Sequence, residues 1–489
     1  MLVRPLRSLS YFINNATELA RGVGQGIFGY SSYPSLSDET LNQIFLLVEQ
    51  YTRDEWDQKL ETEHEMVYLG LGLSHVCRQW RRVALRTPSL WSDIRICQPE
   101  QPNASRVTLP KRTRHFLHYN ASRGTLPKST QHFLHYSSPL LLCLTVSAGN
   151  YRILERFPAL RVRSLVIYGT LEAIYYASDQ WTTQFPVLED LIVEVSPLPP
   201  PIHGCERVTP LVRDNFFDYF PCMTWLTLRN VDCIPHFRRI SGLRRLTWTM
   251  DPECKLESLS FAPFQDLTDI RYLELDVPNL IGGSFRIARS LEEVVFKNAG
   301  TAIMHSLGRS FPPRLTSLTI TSFEDITFRL LAFLDGQRGK IIQKLSLSLV
   351  EISSVKWYQI LRRVPNVKTL EVGFTPTNRD PEPFNGFMDA LALHQEDVIL
   401  VPILSELRLA GDVLWRIERV VDFLRVRHLE WDIQMSENIA QVEILVLPTD
   451  YFTSIPELVA QQLESLVVVS SDAALNRLVE LVEPVETMF

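Results

Sequence analysis

The sequence predicts an α+β multidomain chain: a small helical unit followed by a long, irregular α/β solenoid bent into a horseshoe. Three observations predict it. Leucine supplies 69 of the 489 residues, about one in seven. A short pattern, L-x-x-L-x-L with any large apolar residue allowed, recurs from residue 139 onward. Two apolar stripes of helical period stand nearer the N-terminus, between Leu36 and Arg86.

Composition narrows the class further. The chain is 45% hydrophobic and 21% charged, so it can bury a large core. A net charge of -7 argues against a broad nucleic-acid footprint, which needs Lys and Arg in excess. No apolar run reaches the ~18 residues of a membrane span. Residues 1–32 lack the hydrophobic core of a secretory signal and read as a flexible tail. That tail holds a formal GxGxxG at Gly24, Gly26 and Gly29. No strand precedes it and Tyr30-Ser31-Ser32-Tyr33-Pro34 follows, so it reads as linker rather than a dinucleotide fingerprint. The seven cysteines are odd in number, scattered, and include no CxxC pair. They are expected as free thiols in a reducing compartment, cytoplasmic or nuclear, with no disulfide framework and no metal site.

The helical unit spans residues 33–96. Ser37 is placed to cap a helix, and Asp38 and Glu39 put negative charge in its first turn, where the helix dipole favours it. Leu41, Ile44, Phe45 and Val48 then share one face. An acidic, polar stretch over 50–65 reads as a solvated insert. The second helix carries Leu73, Val76, Cys77, Trp80, Val83 and Ala84 on one face, with Arg78, Arg81 and Arg82 on the other. Thr87-Pro88 ends it, because proline cannot continue the hydrogen-bond ladder. Ser89-Leu90-Trp91 closes the unit.

Residues 97–138 read as linker helices built on a tandem duplication. Residues 104–120 and 121–137 match at 13 of 17 positions. Each copy carries a His-x-x-His pair, His115/His118 and His132/His135. No cysteine or acidic ligand accompanies them, and duplication of one amphipathic helix accounts for every position.

The repeating region spans 139–475, with a short tail over 476–489. Thirteen units start at Leu141, Val162, Leu188, Met223, Leu243, Ile270, Leu291, Leu315, Ile342, Val367, Leu404, Val426 and Leu463, spaced 20 to 37 residues apart. Within each, the closing L-x-L alternates with period two and turns its apolar residues into a core. A unit this small cannot bury its own apolar side, so neighbouring units must stack. Several follow Phe-Pro or Val-Pro, as at Phe185-Pro186 and Val364-Pro365. Residues two and four places into a unit point outward. Among them Trp225, Arg245, Tyr272, Arg408 and His428 are of types prone to act as interface anchors, and are the candidate substrate-binding set.

Two resemblances emerge from these residues. Leu36-Ser37-Asp38-Glu39-Thr40-Leu41-Asn42-Gln43-Ile44-Phe45, then Val76-Cys77-Arg78-Gln79-Trp80-Arg81, then Thr87-Pro88-Ser89-Leu90-Trp91, resemble an F-box. Ser37 stands where that family usually has proline, Thr40 replaces a branched apolar residue, and the loop between the helices is long. The region from 139 resembles leucine-rich repeats. It is degenerate, because no unit holds Asn or Cys three places after its last apolar residue.

Together the resemblances imply the substrate-recognition subunit of a Skp-cullin-F-box ubiquitin ligase. The F-box would dock the Skp adaptor, and through it the cullin scaffold, while the repeat domain binds the target protein. Adaptor contacts would fall on Leu36, Glu39, Leu41, Ile44, Val76, Cys77 and Trp80. No P-loop, G-x-S-x-G, H-E-x-x-H or CxxC is present, so no catalytic residues, no cofactor, and neither membrane nor nucleic-acid partners are expected. The alternatives are a divergent F-box/leucine-rich-repeat scaffold without ligase activity, and an enzyme on an α/β fold.

Overall fold

The computed structural model describes residues 37–47, 74, 78–96, 128–138, 140–195, 216–231, 240, 242–250, 259–260, 267–277, 280–281, 289–297, 312–322, 326–349, 352–374, 382–392, 400–411, 417–429, 442–447, 463 and 468–471. These fall into two compact units. The N-terminal tail, the 50–65 insert, the first duplicated copy with His115 and His118, and the C-terminal tail lie outside the described residues.

The first unit holds helices α1 (38–47), α2 (Arg78–Arg86) and α3 (Lys128–Tyr136), a single 3-10 turn Pro88–Trp91 and a short strand β1 (Asp93–Ile96). Ser37 caps α1 through its Oγ, which accepts the Thr40 N–H at 3.1 Å. The expected apolar faces meet: Leu41, Phe45, Val83 and Ala84 are buried, and the Phe45 and Trp80 rings pack edge to face at 5.1 Å. Asp38 ties the two helices together, accepting from Arg82 Nη2 at 2.7 Å and from Gln79 Nε2 at 3.2 Å. Thr87 leaves the helix in an extended conformation, and Pro88 opens the next turn. That turn buries Trp91, whose indole N–H donates to the Ala84 carbonyl at 2.7 Å. Helix α3, the second duplicated copy, packs Phe133 against Trp91 with ring centroids 5.0 Å apart.

The second unit is built on strands β2 (Leu142–Ser147), β3 (Val162–Gly169), β4 (Asp190–Val195), β5 (Trp225–Arg229), β6 (Arg245–Thr249), β7 (Tyr272–Asp276) and β8 (Glu293–Lys297). They continue as β9 (Ser317–Ser322), β10 (Lys344–Leu349), β11 (Thr369–Phe374), β12 (Glu406–Gly411), β13 (Ile444–Leu447) and β14 (Val468–Ser471). From β3 to β14 each strand pairs in parallel with the next, so twelve strands form one parallel sheet in chain order. Helices α4 (Leu171–Asp179), α5 (Thr327–Phe333), α6 (Ser354–Arg363), α7 (Glu382–Ala392) and α8 (Ile417–Leu429) occupy connections between strands. The last four are consecutive, and Trp357 of α6 meets Phe387 of α7 edge to face at 4.9 Å.

Register explains the leucine pattern. Leu165, Leu191, Leu226, Leu246, Leu273, Val294, Leu318, Leu345, Leu370, Leu407 and Leu445 lie side by side across the sheet, and all are buried. The row two residues on, which includes Trp248, Phe296 and Leu347, is buried as well. Each side chain fully buried in such rows is worth about 1.5–3 kcal/mol of transfer free energy, so the stack rather than any one unit holds the sheet together. The first apolar residue of a unit ends a tight turn: the N–H groups of Leu188, Met223, Val367 and Leu404 bond the carbonyls of Phe185, Phe220, Val364 and Val401. The next carbonyl then accepts twice from the following unit. Glu189 O takes the N–H groups of Thr224 and Trp225, Thr224 O those of Arg244 and Arg245, and Arg244 O those of Arg271 and Tyr272. Gly339 sits where a Cβ would collide with the backbone carbonyls of Arg363 and Leu334.

Three expected units differ. The segment at Val426 is the last turn of helix α8, not a strand. Val426 and Leu429 are three apart, a spacing a helix satisfies as well as a repeat does, and the buried Val420, Val421, Phe423, Leu424 and Arg427 follow the helical period. The strand belongs instead to Val442-x-x-Leu445-x-Leu447, which pairs Leu445 with Leu407. The last strand places Val469 opposite Leu445, three residues later than a unit starting at Leu463 requires. In the first unit of the series Leu142 is buried and Leu141 exposed.

Candidate functional site

The outward face of the sheet carries the residues between the buried rows. Across strands β3 to β13 its first outward row reads Ser164, Asp190, Trp225, Arg245, Tyr272, Glu293, Ser317, Lys344, Thr369, Glu406 and Ile444. Three of the five candidate contact residues are therefore immediate neighbours on β5, β6 and β7. The Arg245 guanidinium lies between two rings, its Cζ 4.1 Å from the Trp225 centroid and 4.0 Å from the Tyr272 centroid. Trp225 is 37% exposed, unusual for so large an apolar side chain.

A polar network surrounds this stack. Glu274, one row along, accepts from Tyr272 Oη at 2.8 Å and from Thr247 Oγ1 at 3.4 Å on one oxygen, and from Lys297 Nζ at 2.7 Å on the other. Burial opposes ionisation of Glu274, but the bonds from Lys297 and Tyr272 and the nearby Arg245 charge outweigh it and hold its carboxyl below the usual range. Burial, followed by the Glu274 charge, pushes the Tyr272 phenol well above its ordinary value, so it remains a donor. Burial also raises the Asp190 carboxyl, against the Ser164 hydroxyl bonded to its Oδ2 at 2.9 Å and the charges of Arg245 and Arg163. Asp190 Oδ1 is buried with no hydrogen-bond partner among the described residues.

The other two candidates stand elsewhere. Arg408 lies on β12, seven strands from Trp225, and is paired with Glu406 at 2.7 Å. His428 was expected on a strand facing outward; it lies in helix α8 because the residues around it follow a helical period.

No family model matches the chain, and no curated protein matches it.

In the first unit the adaptor candidates separate. Leu41 is wholly buried and serves the unit's own core, whereas Glu39 is exposed and Ile44 and Trp80 are half-buried. Leu36, Val76 and Cys77 lie outside the described residues. The sequence reading passed over Leu47, which is 62% exposed and three residues beyond Ile44 on α1, hence on the same helical face. The Ile44 spacing was its signal. The reading also missed Glu274 and Lys297, whose roles arise only from strand pairing. His132 and His135 are both exposed on α3, and His132 stacks on Tyr136. Among the described residues no three His, Cys, Asp or Glu side chains are gathered as a metal site would need, and no helix is long and apolar enough to cross a membrane.

Proposed function

We propose that the chain is a non-catalytic substrate receptor of a Skp-cullin-F-box ubiquitin ligase, with the first unit an F-box and the second a degenerate leucine-rich-repeat solenoid. In this reading the outward face of the sheet is the inner surface of a horseshoe. The observation that carries it is the unbroken parallel register of L-x-L pairs from β3 to β12, each unit stacked on the last. The α1–α2 pair supports the other half, since it buries Leu41 and Phe45 and leaves Ile44 and Leu47 toward solvent. Such a receptor accelerates transfer by holding the target near the charged conjugating enzyme, not by chemistry of its own. The target's contacts fall on Trp225, Arg245 and Tyr272, the aromatic and arginine cluster of the face.

Co-purification tests the reading. Full-length protein is expected to bring down a Skp adaptor, and Leu47→Asp to abolish this while the thermal transition stays in place. A folded wild-type chain that recovers no adaptor refutes the ligase assignment.

A further inference from the structure

Arg245 differs from three other cations of the outward face. Arg229 pairs with Glu194 at 3.5 Å, Lys297 with Glu274 at 2.7 Å and Arg408 with Glu406 at 2.7 Å. No side-chain hydrogen bond or ion pair holds Arg245 among the described residues, and its Nε is buried without a partner. Two rings clamp the guanidinium faces instead. The N–H groups of a guanidinium all lie in its plane, so a clamp on both faces leaves the edge to do the bonding. With Nε buried, that edge is the terminal pair of nitrogens.

None of the nearby acids among the described residues bonds the guanidinium. Both oxygens of Glu274 are engaged by Tyr272, Thr247 and Lys297. Asp190 lies on the far side of Trp225 in the row and bonds Ser164, and Glu293 accepts from Ser317 Oγ at 3.3 Å. The clamp therefore fixes a rotamer-rich side chain in advance and leaves its charge-assisted donors unused.

We propose that Arg245, held between Trp225 and Tyr272, is the receptor for a single carboxylate, the Asp or Glu side chain of an extended acidic segment in the partner protein. A planar carboxylate matches the two terminal nitrogens of the guanidinium fork, and a neutral amide offers only a weaker acceptor. Asp190, Glu274 and Glu293 flank the site and repel a second negative charge, so a carboxylate fits better than a phosphate dianion. This inference rests on the outward face being the target-binding surface, and it names the chemistry that surface reads.

The test uses the full-length chain, immobilised, and four pools of 13-residue peptides with randomised flanks and a central Glu, Gln, Lys or phosphoserine. The Glu pool is expected to be retained about tenfold over the Gln pool, with the Lys pool excluded. Arg245→Gln should erase the preference, Arg245→Lys should lose most of it by losing the planar fork, and Arg419→Gln, on helix α8 and paired with Asp389, should keep it. Equal retention of Glu and Gln pools, or a preference that survives Arg245→Gln, overturns the proposal. So does stronger retention of phosphoserine than of Glu. If Arg245→Gln melts early, Arg245→Lys carries the comparison, and a preference undiminished in it also refutes the fork. No adaptor is present in this experiment. A chain that recovers no adaptor yet prefers Glu refutes only the ligase reading, and one that binds adaptor without the preference refutes only the carboxylate site.

Discussion

Strands β5–β8 and β9–β12 share one backbone lattice and turn different side chains to solvent. The first group presents Trp225, Arg229, Arg245, Tyr272, Glu274, Glu293 and Lys297 on its outward rows. The second presents Ser317, Thr319, Thr321, Ser348, Thr369 and Gly373 beside the charged Lys344, Glu371, Glu406 and Arg408, and carries no aromatic side chain on these rows. Its surface is so closely packed at Gly373 that a Cβ there would come within 2.7 Å of Ser348 Oγ. Beneath both, the buried rows are alike: Leu226, Leu246, Leu273 and Val294 in one, Leu318, Leu345, Leu370 and Leu407 in the other. The inward rows are constrained by stacking, and the outward rows vary freely. In the receptor reading proposed above, whatever distinguishes the partner is therefore written in the outward rows, and its aromatic part on β5–β8.

If the lattice is common to both groups, core truncations should cost similarly in each. Trp248→Ala, which also removes the indole bond to the Val231 carbonyl, is expected to destabilise the second unit by about 3–5 kcal/mol in chemical denaturation. Leu345→Ala should cost about 2–5 kcal/mol. A large loss confined to one group would show that the two do not share a core. Next in size is Arg427→Met. Arg427 is buried in α8 with its pKa drawn down to about 10 by burial, and it donates to the carbonyls of Val401 at 2.8 Å and Pro402 at 3.2 Å, just ahead of β12. Leaving those acceptors unpaired should cost about 2–3 kcal/mol, and a neutral result would mean water or backbone replaces the guanidinium.

Outward substitutions should behave oppositely. Arg245→Gln and Thr319→Ala are each expected to shift stability by less than about 1 kcal/mol, with only the first changing peptide retention. An equal binding defect in Thr319→Ala would erase the distinction between the groups. The smallest effect lies outside the sheet. The Arg82 hydrogen bond, then that of Gln79, holds the Asp38 carboxyl below its ordinary value. Its contribution is present above the unfolded value near pH 4 and is lost as pH falls through the lower folded value. Asp38→Asn should flatten the acid limb of the first unit's stability profile only slightly, because the pair is exposed. A steep change in that limb would mean the pair is shielded from solvent.

Much of the sheet was legible because a period-two apolar pair flanked by polar residues has few other uses. Leu226-Thr227-Leu228 and Leu345-Ser346-Leu347 announce strands without any neighbour. The failures came where one spacing serves two structures. Val426 and Leu429 fit a helix as well as a repeat, and His428 was misplaced with them. The clamp was half visible. Trp225, Arg245 and Tyr272 could be picked as anchor types, but they are 20 and 27 residues apart and only strand pairing makes them adjacent. Glu274 and Lys297 gave no local signal, since an acid and a base 23 residues apart are ordinary until the register brings them together.

The doubled acceptors at the strand starts bear on how the chain is made. In every such pair the carbonyl belongs to the earlier unit and the two N–H groups to the later one, from Glu189 through to Ser405. On a ribosome the acceptor leaves the exit tunnel before its donors do. Each new strand can therefore be laid onto a finished template as it leaves the tunnel, without waiting for residues still to come.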